Sequence, residues 1–211
     1  MRSFSHWTPR YVGSRIAEKF YYATYPDHPW LTRTANQILA AYLKESDIGL
    51  EFGSGRSTLW FAKRVGHLTS VEHDEAWQKK VSQMLKDNHL SNVDYHLHPR
   101  DKADEQGAET DYVKVFQQIK TDSVDFVLID GVYRDFCALE AIRVIRPGGV
   151  MIIDNVNRYL PSDSYSPNSR TIQDGTKGQT WEKVYRTISG WRKIWTSSGV
   201  SDTAFFFKPY Q

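Results

Sequence analysis

Apolar positions along this chain follow two alternating rhythms. Leu31, Ala35, Ile38, Leu39 and Tyr42 fall at helical spacing and predict an amphipathic helix. A short apolar run over Ile48–Phe52 follows, broken by Gly53 and Gly55, and Leu59, Phe61, Ala62 and Val65 then resume the helical period. This strand–turn–helix pattern repeats. His67–Glu72 reads as a strand, Trp77, Val81, Met84 and Leu85 as a helix, and residues 93–98 as the next strand. A charged stretch at 99–110 leads to a short helix on Tyr112, Val115, Phe116 and Ile119. Val124–Ile129 is apolar apart from Asp125, as suits a parallel strand covered on both faces. Cys137, Ala138, Ala141, Ile142 and Ile145 mark a helix stopped by Pro147-Gly148-Gly149, and residues 150–153 form another buried strand. Trp181, Val184, Tyr185 and Ile188 mark a last helix, and 191–196 and 203–208 read as the two strands of a hairpin.

Alternating strands and helices predict an α/β fold: a Rossmann-like, doubly wound, mostly parallel sheet that closes with an antiparallel C-terminal hairpin. Ligands of such sheets bind at the carboxyl ends of the strands. Glu51, Glu72, Asp130 and Asp154 stand at those ends, and four carboxylates in one crevice imply a ligand. Ahead of the sheet, residues 1–13 read as an arm and 14–25 as an aromatic-rich helix, broken by Pro26-Asp27-His28-Pro29. Residues 1–45 thus form an arm and helical cap, or a lid, on a domain spanning 46–211. The Ser-, Pro- and Gly-rich stretch 157–180 reads as a long loop, functional or mobile, in which Tyr159 and Tyr165 could line a substrate pocket.

Composition narrows the class of partner. Lys and Arg number 27 against 25 Asp and Glu, a formal charge of +2, with both signs interspersed. Neither a nucleic acid nor a membrane is expected as partner. One cysteine, Cys137, excludes an internal disulfide and sits on an apolar helix face, as a core residue would. With no apolar signal core near the N-terminus, a cytoplasmic location is expected. The 7 Trp and 12 Tyr exceed the needs of a core and suggest a pocket or an interface; the aromatic N-terminal arm could pack against a second subunit in a homodimer. His96 and His98 share one strand face, as a metal pair or an exposed strand end.

The sequence Glu51-Phe52-Gly53-Ser54-Gly55, the acid Glu72, Asp130-Gly131 and Arg146-Pro147-Gly148-Gly149 occur in the order and spacing of one family. Over roughly residues 46–208 the chain resembles class I S-adenosylmethionine-dependent methyltransferases, in particular small O-methyltransferase-like members reading Phe-Gly-Ser-Gly-x-Ser-Thr. The resemblance implies methyl transfer from S-adenosylmethionine to a small molecule, most simply at a hydroxyl. It implies that Glu51, Gly53, Ser54, Gly55 and Ser57 hold the methionine part of the cofactor and that Glu72 binds the ribose hydroxyls. His73 would lie against the adenine, with Arg100 or Asp101 near its edge. Catechol-type relatives carry an Asp after the fourth strand and Asp-Asn after the fifth that bind a divalent cation. Asp130, Asp154 and Asn155 stand in matching places and suit Mg²⁺, unless Asp154-Asn155 merely caps a strand. Tyr133 stands where those relatives carry a catalytic lysine, so Asp130 could act as the base, or Arg134 could orient an anionic substrate, with Asp154 a further catalytic candidate.

Three rivals are weaker. A nicotinamide-dependent oxidoreductase needs a third glycine where Thr58 stands. A nucleic-acid base methyltransferase would carry an Asn-Pro-Pro-aromatic stretch where Asp130-Gly131-Val132-Tyr133 stands. The last is a binding module that keeps the fold without catalysis.

Overall fold

The computed structural model describes residues 7–210. Two helices precede the sheet, α1 (Pro9–Thr24) and α2 (Arg33–Tyr42). The sheet region then runs β1 (Ile48–Phe52), α3 (Arg56–Ala62), β2 (His67–Glu72), α4 (Glu75–Asp87), β3 (Val93–Leu97), α5 (Asp111–Lys114) and β4 (Val124–Ile129). It continues through α6 (Arg134–Val144), β5 (Ile145–Asp154), α7 (Gln179–Ile188), β6 (Arg192–Ser197) and β7 (Asp202–Phe207). The seven strands are ordered β3-β2-β1-β4-β5-β7-β6. The first five are parallel, and β7 enters antiparallel between β5 and β6. The predicted doubly wound sheet with its closing hairpin is the architecture observed.

Strand β1 shows why the centre holds. Leu50 and Phe52 point to one face, where the Phe52 ring lies between Tyr112 (5.3 Å) and Phe116 (4.5 Å). On the other face a Cβ at Gly49 would stand 2.2 Å from the Phe126 ring, so only glycine admits that phenyl. Each fully buried large apolar side chain contributes about 1.5–3 kcal/mol. Leu31, Ala35 and Leu39 join Phe61, Phe126 and Phe205 in one cluster, so α2 is a cap that shares the core of the sheet.

The N-terminal region departs from expectation. The arm predicted over 1–13 is helical from Pro9, with Thr8 Oγ1 accepting from the Tyr11 N–H at 3.2 Å. Residues 1–6 of that arm lie outside the described residues. Helix α1 buries no residue, and Val12, Ile16 and Phe20 stand exposed along one face. A second departure is Pro147-Gly148-Gly149, predicted as a break before the strand. It lies inside β5, where Gly148 takes φ +79° and a register shift opens between Val124 and Phe126. Gly148 N–H donates to Lys208 O and Lys208 N–H to Gly149 O, so pairing with the chain beyond β7 carries the strand through the glycines.

The stretch 157–178 is a compact loop. Buried Asn157 donates to Pro167 O (3.2 Å) and Ser169 Oγ (3.0 Å), and its carbonyl accepts from Arg170 N–H. No helix among the described residues is long and apolar enough to cross a membrane.

Candidate functional site

The sheet order reverses between β1 and β4, and the chain leaves both strands through glycine. Gly53 takes φ +96°, and a Cβ there would meet Gly131 N at 2.5 Å. This close approach of two backbones forms the floor of a crevice at the strands' carboxyl ends, the place where such sheets bind ligands. A cavity of about 520 Å³ opens above it, lined by Gly53, Ser54, Glu72, His73, Asp130 and Gly131, with Trp77 and Lys80 at its rim. That volume is within the range of small-molecule sites.

Glu72 is the best-anchored group there. Its Oε2 accepts from Ser54 N–H (3.0 Å) and Ser54 Oγ (2.6 Å), and its Oε1 from the N–H groups of His73 (2.7 Å) and Asp74 (2.8 Å). Burial alone would push its carboxyl up. The hydrogen bonds from His73, Ser54 and Asp74 outweigh burial and hold it at about 2. Two residues to which the sequence reading gave no part in the site complete this corner. Tyr95 Oη lies 2.6 Å from Ser54 Oγ, and Trp77 Nε1 donates to Ser54 O at 2.7 Å. Tyr95 alternates correctly along β3 and Trp77 holds an apolar helix position, so neither carried a signal beyond packing.

Glu51 sits elsewhere than expected. It is fully buried beneath the turn, facing α3, and lines no part of the cavity. Ser70, its register partner on β2, donates to Glu51 Oε2 at 2.7 Å, and so does Thr58 Oγ1. Thr58 Oγ1 in turn accepts from Gly55 N–H at 3.0 Å, so Glu51 braces the glycine turn from below. Burial raises its carboxyl to about 7 against hydrogen bonds from Ser57, Thr58 and Ser70. Ser57 is likewise buried under the turn.

Arg100 and Asp101 are not brought to this cavity either. Arg100 is exposed and paired with Asp104 at 2.7 Å, and Asp101 is exposed. The chain beyond β3 is drawn toward α6, because Lys102 N–H donates to Tyr133 Oη and Tyr133 Oη donates to Lys102 O.

Asp130, Asp154 and Asn155 do converge, around a cation supplied by the chain itself. Arg134 Nη2 donates to Asp130 Oδ1 (2.8 Å) and to the Asp130 carbonyl; Nη1 donates to Asp154 O (2.7 Å) and Nε to Gly131 O (2.8 Å). Asp154 Oδ1 accepts from Thr203 Oγ1 at 2.7 Å, and its Oδ2 from Asn155 Nδ2 at 2.6 Å. The guanidinium thus stands in the charge position expected of Mg²⁺, and Asn155 turns its amide N–H₂ toward Asp154. These residues do not fit a divalent cation. Among the described residues no cluster of three His, Cys, Asp or Glu side chains could hold one, and His96 pairs with Asp94 at 3.1 Å. Burial raises the Asp154 carboxyl, and the neighbouring Asp130 raises it further. Tyr133 and Asn155, which leave β4 and β5, both take left-handed backbones, at φ 49° and 52°. Such strain gathers at functional turns.

A second cavity of about 340 Å³ shares Gly131 with the first as a lining residue and is bordered by Arg100, Tyr133, Arg134, Tyr159, Lys177 and Trp181. Tyr159 stacks on Trp181 at 4.9 Å, with Lys177 Nζ 5.3 Å from its ring. Tyr165 is 80 % exposed and borders a different cavity. Across the crevice Tyr22 of α1 feels the charges of Asp154 and Asp130, and its hydroxyl donates to Leu31 O at 2.5 Å.

Comparison with solved structures shows the same architecture. A methyltransferase-like protein from Silicibacter pomeroyi is 24 % identical with a TM-score of 0.55, over 87 % of this chain and 91 % of that one. A SAM-dependent methyltransferase from Aquifex aeolicus is 15 % identical with a TM-score of 0.51, over 84 % and 89 %. An rRNA methylase from Streptococcus thermophilus is 13 % identical with a TM-score of 0.53, over 84 % and 95 %. At these identities the likeness is one of fold. No curated protein matches the chain. Residues 50–156, just over half the sequence and the part that builds the crevice from β1 to the end of β5, match the family profile described as a methyltransferase domain. The chain therefore belongs to the S-adenosylmethionine-dependent methyltransferases.

Proposed function

We propose that the chain transfers a methyl group from S-adenosylmethionine to a hydroxyl oxygen of a small molecule, with Arg134 in place of a divalent cation. The observation behind this reading is that Gly131 lines both cavities, with Asp130 on the first and Arg134 on the second. The first cavity fits the cofactor: paired glycines let a ligand lie on backbone, and Glu72 stays ionised to accept from ribose hydroxyls. When bound, the cofactor supplies an electrophilic methyl carbon on a sulfonium.

The remaining work falls to this chain. Ser54 Oγ can turn from Glu72 to Tyr95, freeing a carboxylate oxygen for ribose. His73 flanks the base, and Glu51 keeps the turn in shape from below. The Tyr159–Trp181 stack and Lys177 would seat a ring-bearing acceptor. Arg134 has five N–H donors, four of them engaged, and the fifth can hold the acceptor oxygen as charge develops there. Asp130, on the lining of the cofactor cavity and paired with Arg134, is the base that takes the hydroxyl proton, with Asp154 behind it sharing the charge. Alignment of oxygen, methyl and sulfur supplies most of the acceleration.

A radiolabelled methyl-transfer screen of hydroxylated aromatic and sugar acceptors tests this. Transfer to oxygen is expected; transfer only to nitrogen, carbon or RNA would replace the acceptor assignment.

A further inference from the structure

Outside the crevice, a groove of about 620 Å³ runs along α3 and α4 under the turn at Tyr25–His28. Its charged lining is one-sided: Arg56, Lys63, Arg64 and Lys80 face a single carboxylate, Asp27. Among the described residues, none of these four cations has an acid within ion-pairing distance. Three lie over tryptophans instead. Arg64 is 3.9 Å from the Trp60 ring centre, Lys80 4.5 Å from Trp77 and Arg56 5.2 Å from Trp30. An aromatic face attracts a cation through its quadrupole but carries no net charge, so the tryptophans hold these groups in place without neutralising them.

Arg64 is the most constrained of the four. Its Nη1 donates to Trp60 O at 2.8 Å, and burial draws its guanidinium below the ordinary value with no carboxylate in opposition. A desolvated charge lacking a counter-charge is costly. The chain as a whole carries only +2, so the excess is local. Arg56 and Lys63 are separated by roughly 10 Å along α3. Between them lie Leu59, Met84 and the stacked rings of Tyr25 and His28, 4.9 Å apart.

We propose that this groove binds a small molecule bearing more than one phosphate, of the nucleoside diphosphate class, its phosphates on the four cations and its ring against Tyr25 and His28. The enclosed volume suits a small ligand better than a nucleic acid duplex. The site is separate from the acceptor cavity, shares Lys80 alone with the lining of the cofactor cavity, and does not depend on the acceptor's identity.

The test is calorimetry of the full chain with ADP and with inorganic tripolyphosphate at about 0.15 M salt, where diffuse charge is screened. Saturable one-to-one binding of both is expected, with tripolyphosphate displacing ADP. Lys63→Glu and Arg64→Gln should each weaken it by about tenfold or more. Lys63→Glu should leave S-adenosylmethionine binding intact, since Lys63 lines no part of that cavity. Lys120→Glu, an equal charge change at an exposed position outside the groove, should leave both intact. Absence of saturable binding, equal loss in Lys120→Glu, ADP binding that survives Lys63→Glu, or binding of single-stranded RNA alone would each overturn the proposal.

Discussion

Ser54 is bonded to Glu72 twice, through its backbone N–H at 3.0 Å and its hydroxyl at 2.6 Å, so the glycine turn and the end of β2 move as one piece. Glu72→Ala should remove charge-assisted bonds to the cofactor ribose and weaken S-adenosylmethionine binding by about 1.5–3 kcal/mol. Titration by calorimetry measures this. Affinity equal to that of the unaltered chain would remove Glu72 from the cofactor site. Because the folded carboxyl sits near 2, below the ordinary 4.5, its stabilisation is present above pH 4.5 and is lost only as pH falls toward 2.

Arg134 should be indispensable to turnover in a way that no added metal replaces. Arg134→Met is expected to lower kcat by ~10²-fold, the scale for removing one preorganised charge donor. EDTA should leave the unaltered enzyme's rate unchanged. A rate that collapses with EDTA and returns with Mg²⁺ would restore the cation at Asp130, Asp154 and Asn155.

The crevice floor tolerates no side chain at Gly131. A Cβ there would stand 2.0 Å from Tyr112 Oη, a fully buried hydroxyl. Gly131→Ala should destabilise the fold by about 1–3 kcal/mol through overpacking. Tyr112→Phe alone should be nearly neutral, and the double variant should recover part of the loss. Thermal melts of all three proteins decide it, and strictly additive effects would show that the two groups do not compete for space.

Glu51 gives the stability curve a slope. Its folded carboxyl is raised to about 7 by burial, while the unfolded value is near 4.5. Between these pH values the folded chain holds the proton and the unfolded chain does not, so stability falls as pH rises through that window. The whole effect is about 3 kcal/mol. Glu51→Gln stays neutral throughout, so its melting temperature relative to the parent should rise from pH 5 to pH 8. A pH-independent difference would mean that Glu51 finds a counter-charge.

The alternation of strands and helices, the amphipathic helix α2 and the strand-end acids could be read from the chain, because strands buried on both faces and an amphipathic helix leave an imprint in apolar spacing. The body of helix α1 is legible over 14–25, but its start at Pro9 is not, since the helix has no fully buried residue; that start is written in Thr8-Pro9, a capping residue followed by a proline suited to the first helical position. Periodicity places Glu51 on a face but does not say that Ser70 and Thr58 would claim it. It is equally silent on Tyr95 and Trp77, whose packing positions also carry a hydroxyl and an indole N–H to Ser54. The Mg²⁺ expectation did not reckon with Arg134, four residues beyond Asp130 on the first turn of α6, where the helix aims it back at the acids.

The seventh strand holds one further meaning. Thr203 fastens Asp154 from β7, which lies between β5 and β6 although it is made after both. Without β7, β5 would have an unpaired edge and Asp154 would lose its hydrogen bond from Thr203. A chain cut short after β6 should therefore present an open edge ready to pair with a neighbour.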